Sequence, residues 1–207
     1  MSYHIPQLGK LTPSRGNRLS RAFGQTILRV TGWKLEGNIP NIPKAVYVGA
    51  PHTSNWDFPI ALTYLVATGI RMSWMGKHTF VNGFLKPFWL HMGGIPIDRR
   101  AAHGVVGEMV MQFNKHSELL LGLAPEGTRS KVERWKMGFY HIAKGAGVPI
   151  VPILLDYGRK RIAIGSPIEA VENVDVVKKQ LSQFYRGAIA QHPQNYTPIL
   201  PLEEDSE

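Results

Sequence analysis

Apolar residues recur along this chain in two registers. Residues 45–50 (AVYVGA), 118–124 (ELLLGLA) and 148–155 (VPIVPILL) are short runs too apolar to lie against water on either face, as buried strands are. Between them the spacing becomes helical over residues 55–68, 102–116, 138–146 and 174–191; Val105, Val106, Met109, Val110 and Phe113 mark one such face. Shorter strands are predicted at 71–75, 95–97 and 160–164. Pro149 and Pro152 place the 148–155 strand at a sheet edge or over a bulge. Residues 1–13 read as an irregular arm. From Ser14 a helix follows, with Leu19, Ala22, Phe23, Ile27 and Val30 on one side and Arg15, Arg18, Arg21, Gln25 and Arg29 on the other. Such a helix lies in a membrane interface or packs on the core as an ordinary surface helix.

The alternation of strand and helix predicts a single α/β domain, with a mostly parallel or mixed sheet flanked by helices and a basic amphipathic helix in front. Three parts are expected: an arm and helix over 1–36, the α/β domain over 37–192, and a loose acidic tail over 193–207. The 207 residues are 43% hydrophobic and 19% charged, enough apolar surface for one core and too little charge for a disordered chain. The absence of cysteine removes disulfides, thiolate metal sites and cysteine nucleophiles.

Charge narrows the partners. The net +9 is uneven: residues 1–192 carry +13, and six bases precede the first acid, Glu36. That surface attracts polyanions, whether anionic headgroups, phosphorylated metabolites or nucleic acid. The longest uncharged apolar stretch, residues 58–70, falls short of the ~18–20 residues that cross a bilayer. The opening MSYHIPQLGK lacks the apolar core of a signal peptide. The expected location is the cytoplasm, at a membrane surface.

Four segments carry candidate chemistry. In Pro51-His52-Thr53-Ser54-Asn55-Trp56-Asp57 a strand gives way to a helix. His52 and Asp57 would point about 140° apart on a continuous helix, so they meet only if His52 lies in the loop and Asp57 in the first turn. Asp57 would then hold one imidazole nitrogen and leave the other as a general base. The same Ser54-x-x-Asp57 also matches a capping box. Gly94-Ile95-Pro96-Ile97-Asp98-Arg99-Arg100 delivers two arginines at a strand end, as a phosphate clamp or a solvated turn. Pro125-Glu126-Gly127-Thr128-Arg129 follows the central strand and opens a basic cluster with Lys131, Arg134 and Lys136. Val148-Pro149-Ile150-Val151-Pro152 has no reactive group. No serine elbow, P-loop, dinucleotide fingerprint or zinc-protease helix occurs, and the eight histidines lack metal-ligand spacing.

In this order the four segments resemble the motifs of the glycerolipid acyltransferase family. Its H-x4-D looks like His52 to Asp57, its glycine-to-arginine motif like Gly94 to Arg99, its P-E-G-T-R like Pro125 to Arg129, and its V-P-x-x-P like Val148 to Pro152. The resemblance covers about residues 45–155. It implies an acyl thioester donor (acyl-CoA or acyl-carrier protein, with no other cofactor) and a phosphate-bearing lysolipid acceptor such as 1-acylglycerol-3-phosphate. It further implies His52 as base, Asp57 as its orienting partner, Arg99 and Arg129 on the acceptor phosphate, and Glu126, Gly127 and Thr128 around the glycerol. Lys77 is a further phosphate ligand candidate. The chain departs from many members at Pro96 and Ala124, beside the acceptor motifs. Without a spanning segment, the basic helix and the aromatic patch at residues 80–92 would hold the protein on an anionic membrane. That patch, with Met72, Trp74 and Met75, would otherwise line the acyl groove or join the core. Other readings are an acyltransferase for another lysolipid, an idle anionic-lipid binder, or a nucleic-acid binder; no RNA-binding aromatic signature supports the last.

Overall fold

The structure is a computed structural model and describes residues 4–77, 86–97, 104–169 and 173–199, without the side chains of 76, 77, 96 and 97. Seven strands form one sheet: β1 (Lys34–Glu36), β2 (Lys44–Ala50), β3 (Ser73–Lys77), β4 (Gly94–Ile97), β5 (Leu119–Leu123), β6 (Ile150–Asp156) and β7 (Arg161–Ile164). The spatial order is β1-β7-β6-β2-β5-β3-β4. Every neighbouring pair is parallel except β6 with β7. The mixed sheet of a single α/β domain is therefore present, as the alternating pattern predicts.

Each central strand divides its residues between two cores. Val46, Val48 and Ala50 of β2, Leu119 and Leu121 of β5, and Ile150 and Leu154 of β6 meet Met109, Phe113, Phe139, Ile142, Val177 and Leu181 from helices α4 (Gly104–Lys115), α5 (Gly138–Ala146) and α6 (Val174–Tyr185). The alternate residues Ala45, Tyr47, Leu120, Val151 and Leu155 meet Leu28, Trp33, Tyr64 and Leu65 on the side of α1 (Arg18–Val30) and α2 (Asp57–Thr68). Burial on both faces is why these strands read as continuous apolar runs rather than alternating ones.

The first helix begins at Arg18 rather than Ser14. Asn17 caps it: its side chain accepts the Ser20 N–H at 2.9 Å, and the Ser20 hydroxyl accepts the Asn17 N–H at 3.0 Å. Its docking face is narrow, with Gly24 and Leu28 buried. At Gly24 a side-chain carbon would lie 2.6 Å from the backbone nitrogen of Ala67 in α2, so the helices touch backbone to backbone. The apolar stripe of α1 faces outward instead, with Leu19 80% and Val30 81% exposed and Phe23 between them.

Several expectations are corrected. β1 was not foreseen, because its three residues hold one buried side chain, Leu35, between two charges. The last helix stops at Tyr185, not 191; the buried Tyr185 phenol donates to the Val48 carbonyl, and Gly187 turns the chain with φ +73°. Residues 193–199 are not a loose tail. Trp135 Nε1 donates to the Thr197 carbonyl at 2.7 Å, the Thr197 hydroxyl donates to the Val132 carbonyl, and Ile199 is buried; residues 200–207 lie outside the described residues. β6 is an interior strand, so its prolines do not mark an edge. The register slips instead: Ile153 faces Ile164 but Ile150 faces Ile168, so one extra residue lies opposite Pro152. The bulge sits where proline has no N–H to give, and the Pro152 carbonyl still accepts from Gly165 N–H at 2.9 Å.

Candidate active site

Because β2, β3, β4, β5 and β6 are parallel, their C-terminal ends share one edge of the sheet, where open α/β sheets place their sites. Three loops bring polar groups together there. After β2, the Ala50–Pro51 peptide is cis and the chain turns through His52 into α2. After β5 comes the turn Ala124–Gly127, closed by the Gly127 N–H on the Ala124 carbonyl at 3.2 Å. After β6 comes Tyr157.

Asp57 is the hub. Its Oδ2 accepts from His52 Nδ1 at 3.0 Å and from the backbone N–H groups of Thr53 and Ser54, both at 2.8 Å. Its Oδ1 accepts the Tyr157 hydroxyl at 2.5 Å. Asp57 is buried, and burial alone would raise its pKa; these donors and the facing imidazole outweigh it and hold the carboxyl below its usual range. An ionised Asp57 accepts from Nδ1, so the ring proton resides there and Nε2 is left as the proton acceptor. The His52 side chain is 22% exposed, so the ring is not sealed from the sheet edge.

The two readings of Asp57 are not exclusive. The carboxylate secures the loop N–H groups ahead of α2 and the imidazole at once. The full capping box is not made, since the Ser54 hydroxyl accepts from Trp56 N–H at 3.1 Å and Trp56 is the cap residue.

Glu126 lies under the same loop, 1% exposed. Its Oε1 accepts the His52 backbone N–H at 3.0 Å, while Oε2 is buried with no hydrogen-bond partner among the described residues. Burial, with a smaller contribution from the Asp57 charge, pushes its carboxyl up to about 7 despite the His52 contacts. Gly127 takes φ +66°, which sends the chain outward, and Thr128 and Arg129 follow on the exposed side of the turn. Lys77 ends β3 at this edge, though its side chain is not described, and Arg99 lies outside the described residues two positions past β4.

Beside Asp57 in the first turn of α2, Phe58 packs edge-on against Trp74 of β3 at 4.7 Å. Trp74 meets Trp89 at 5.9 Å, and Trp89 meets Phe88 at 5.0 Å in helix α3 (Lys86–His91). Phe88 and Leu90 are exposed, so this patch is not plain core; Phe80, Phe84 and Leu85 lie outside the described residues. Among the described residues no helix is long and apolar enough to cross a membrane. Tyr157 was not among the sequence candidates. One tyrosine two positions after an apolar run gives no signal, and only the fold brings it to Asp57, one hundred residues away.

The Acyltransferase family model matches residues 33–156, more than half of the chain, including the loops after β2 and β5 and ending with β6, one residue before Tyr157. The chain belongs to the acyltransferase family. It is 30% identical over 164 residues to 1-acyl-sn-glycerol-3-phosphate acyltransferase of Haemophilus influenzae, covering 72% of this chain and 65% of that protein. With the enzyme of the same name from Escherichia coli, identity is 32% over 126 residues, 57% of this chain and 49% of that protein. The chain thus spans between about half and two thirds of the length of these relatives. The fold matches the crystal structure of the 1-acyl-sn-glycerophosphate acyltransferase from Thermotoga maritima, with a TM-score of 0.56 and 20% identity over 84% of this chain and 81% of that one. In this acyltransferase-family chain, the His52–Asp57 pair and the Glu126 turn fall inside the matched segment.

Proposed function

We propose that the protein is an O-acyltransferase that moves a fatty acyl group from an acyl thioester to the free hydroxyl of a phosphate-bearing lysolipid such as 1-acylglycerol-3-phosphate. The observation that carries this reading is the His52 Nδ1–Asp57 Oδ2 contact at the shared sheet edge, joined to membership of the acyltransferase family. His52 Nε2 takes the proton of the acceptor hydroxyl as its oxygen attacks the thioester carbonyl. The tetrahedral intermediate collapses with cleavage of the carbon–sulfur bond, and the imidazolium returns its proton to the departing thiolate. Asp57 keeps the ring in the competent tautomer and stabilises its cationic form. The absence of cysteine and of a serine elbow favours direct transfer over an acyl-enzyme.

Arg129 and Arg99, with Lys77, are assigned to the acceptor phosphate, and the Glu126-Gly127-Thr128 turn to its glycerol. The aromatic cluster from Phe58 to Phe88 lies beside the dyad and suits the acyl chain. The outward apolar stripe of α1, flanked by Arg18 and Arg29, suits an anionic bilayer at the cytoplasmic face.

The test is acyl transfer by purified protein from acyl-CoA and acyl-carrier protein to a panel of lysolipids in vesicles, with His52→Ala in parallel. Transfer to one acceptor, lost in the variant while fold and vesicle binding persist, establishes the reaction and names the substrate. A variant that transfers at the wild-type rate removes His52 as base.

A further inference from the structure

We propose that Tyr157 is a positioning residue of the dyad, setting the basicity of His52 through its hydrogen bond to Asp57. The inference rests on the assignment of His52 as general base. Three donors converge on Oδ2 of Asp57, but Oδ1 has Tyr157, whose hydroxyl donates at 2.5 Å from the far side of the carboxylate.

The tyrosine is held from several directions. Its backbone N–H donates to the Ile189 carbonyl at 2.8 Å. Its ring meets the buried Trp33 edge-on at 5.1 Å. The turn that carries it is pinned by buried Asp156, which accepts from Arg159 Nη1 at 2.8 Å and from Arg161 Nε at 3.1 Å. A phenol fixed at both backbone and ring does not swing away, so its bond to Asp57 is a built part of the site.

The electrostatic consequence has a definite sign. A strong donor on Oδ1 draws negative charge away from Oδ2, which lessens the pull of Asp57 on the imidazolium that forms as His52 takes the proton. Among the described residues, Asp57 from α2 and Glu126 from the turn after β5 are the titratable groups bonded to His52, and Tyr157 from the turn after β6 reaches it through Asp57. His192, ahead of the last 3-10 turn, reaches Thr53 through its backbone N–H at 3.1 Å. Burial and the Asp57 charge both push the Tyr157 phenol well above its ordinary value, so it stays protonated as a donor through the working range.

The experiment is a pH profile of kcat/KM for Tyr157→Phe and for 3-fluorotyrosine and 3,5-difluorotyrosine placed at position 157, each repeated on a Glu126→Gln background to remove the Glu126 carboxyl, which burial pushes up to about 7. Phe is expected to move the acid limb up by about half to one pH unit, and the more acidic fluorinated phenols to move it down in order. The fluorotyrosine series keeps the hydroxyl and the ring, so it decides the matter even where the Phe variant folds poorly. An acid limb that stays in place across the series, with His52→Ala inactive, overturns this role while leaving the base intact. Transfer that survives His52→Ala overturns the base and this inference with it.

Discussion

Replacing Glu126 with Gln isolates the cost of burying one carboxyl beneath the His52 loop. Gln keeps an oxygen to accept the His52 N–H and removes the titration. An unfolded glutamate titrates near 4.5, while burial pushes this one up to about 7. Between those values the folded protein retains a proton that the unfolded chain has released. Wild-type stability relative to the variant is therefore complete below about pH 4.5 and is lost as pH rises toward 7. The interval is about 2.5 pH units at about 1.4 kcal/mol each, so the difference levels off above pH 7 at between about 3 and 4 kcal/mol. A large effect is reasonable for a side chain only 1% exposed whose Oε2 has no partner, because water cannot screen the charge that forms there. The assay is urea unfolding of both proteins at half-unit steps from pH 4 to 8, comparing free energies at each pH so that other titrating groups cancel. A stability difference that is flat across the window, or that grows in favour of the wild type as pH rises, refutes the reasoning.

Two further outcomes follow from the first helix. Gly24→Ala places a methyl 2.6 Å from the backbone of Ala67, and neither backbone yields cheaply. Overpacking of about 1–3 kcal/mol is set against a helix-propensity gain of about 1 kcal/mol, so the melting temperature should fall; an unchanged or higher value would show that α1 does not dock this closely on α2. Leu19→Ser, Phe23→Ser and Val30→Ser together should leave stability nearly unchanged, since all three are exposed, while co-sedimentation with anionic vesicles drops several-fold. Undiminished vesicle binding would show that another surface meets the lipid.

Much of this protein is determined locally. Burial on both faces writes the central strands as apolar runs such as residues 118–124, and helical spacing writes α4 and α5, so element type follows from short stretches of sequence. The spacing of His52 and Asp57 is likewise local: one loop and one helix turn suffice to bring them to 3.0 Å. What tertiary structure alone decided is relational. β1 exists because β7 offers it a partner. β6 runs inside the sheet because β2 and β7 pair on its two sides, and the one extra residue in the segment after β7 accommodates Pro152 there. The apolar stripe of α1 faces outward because Gly24 gives the opposite face a closer fit on α2 than larger side chains allow. Tyr157 and Glu126 reach the His52 loop only because parallel strands bring the ends of β2, β5 and β6 to one edge. Local sequence sets how a segment folds; which distant groups share a site depends on strand order, and no periodicity within a segment encodes that order.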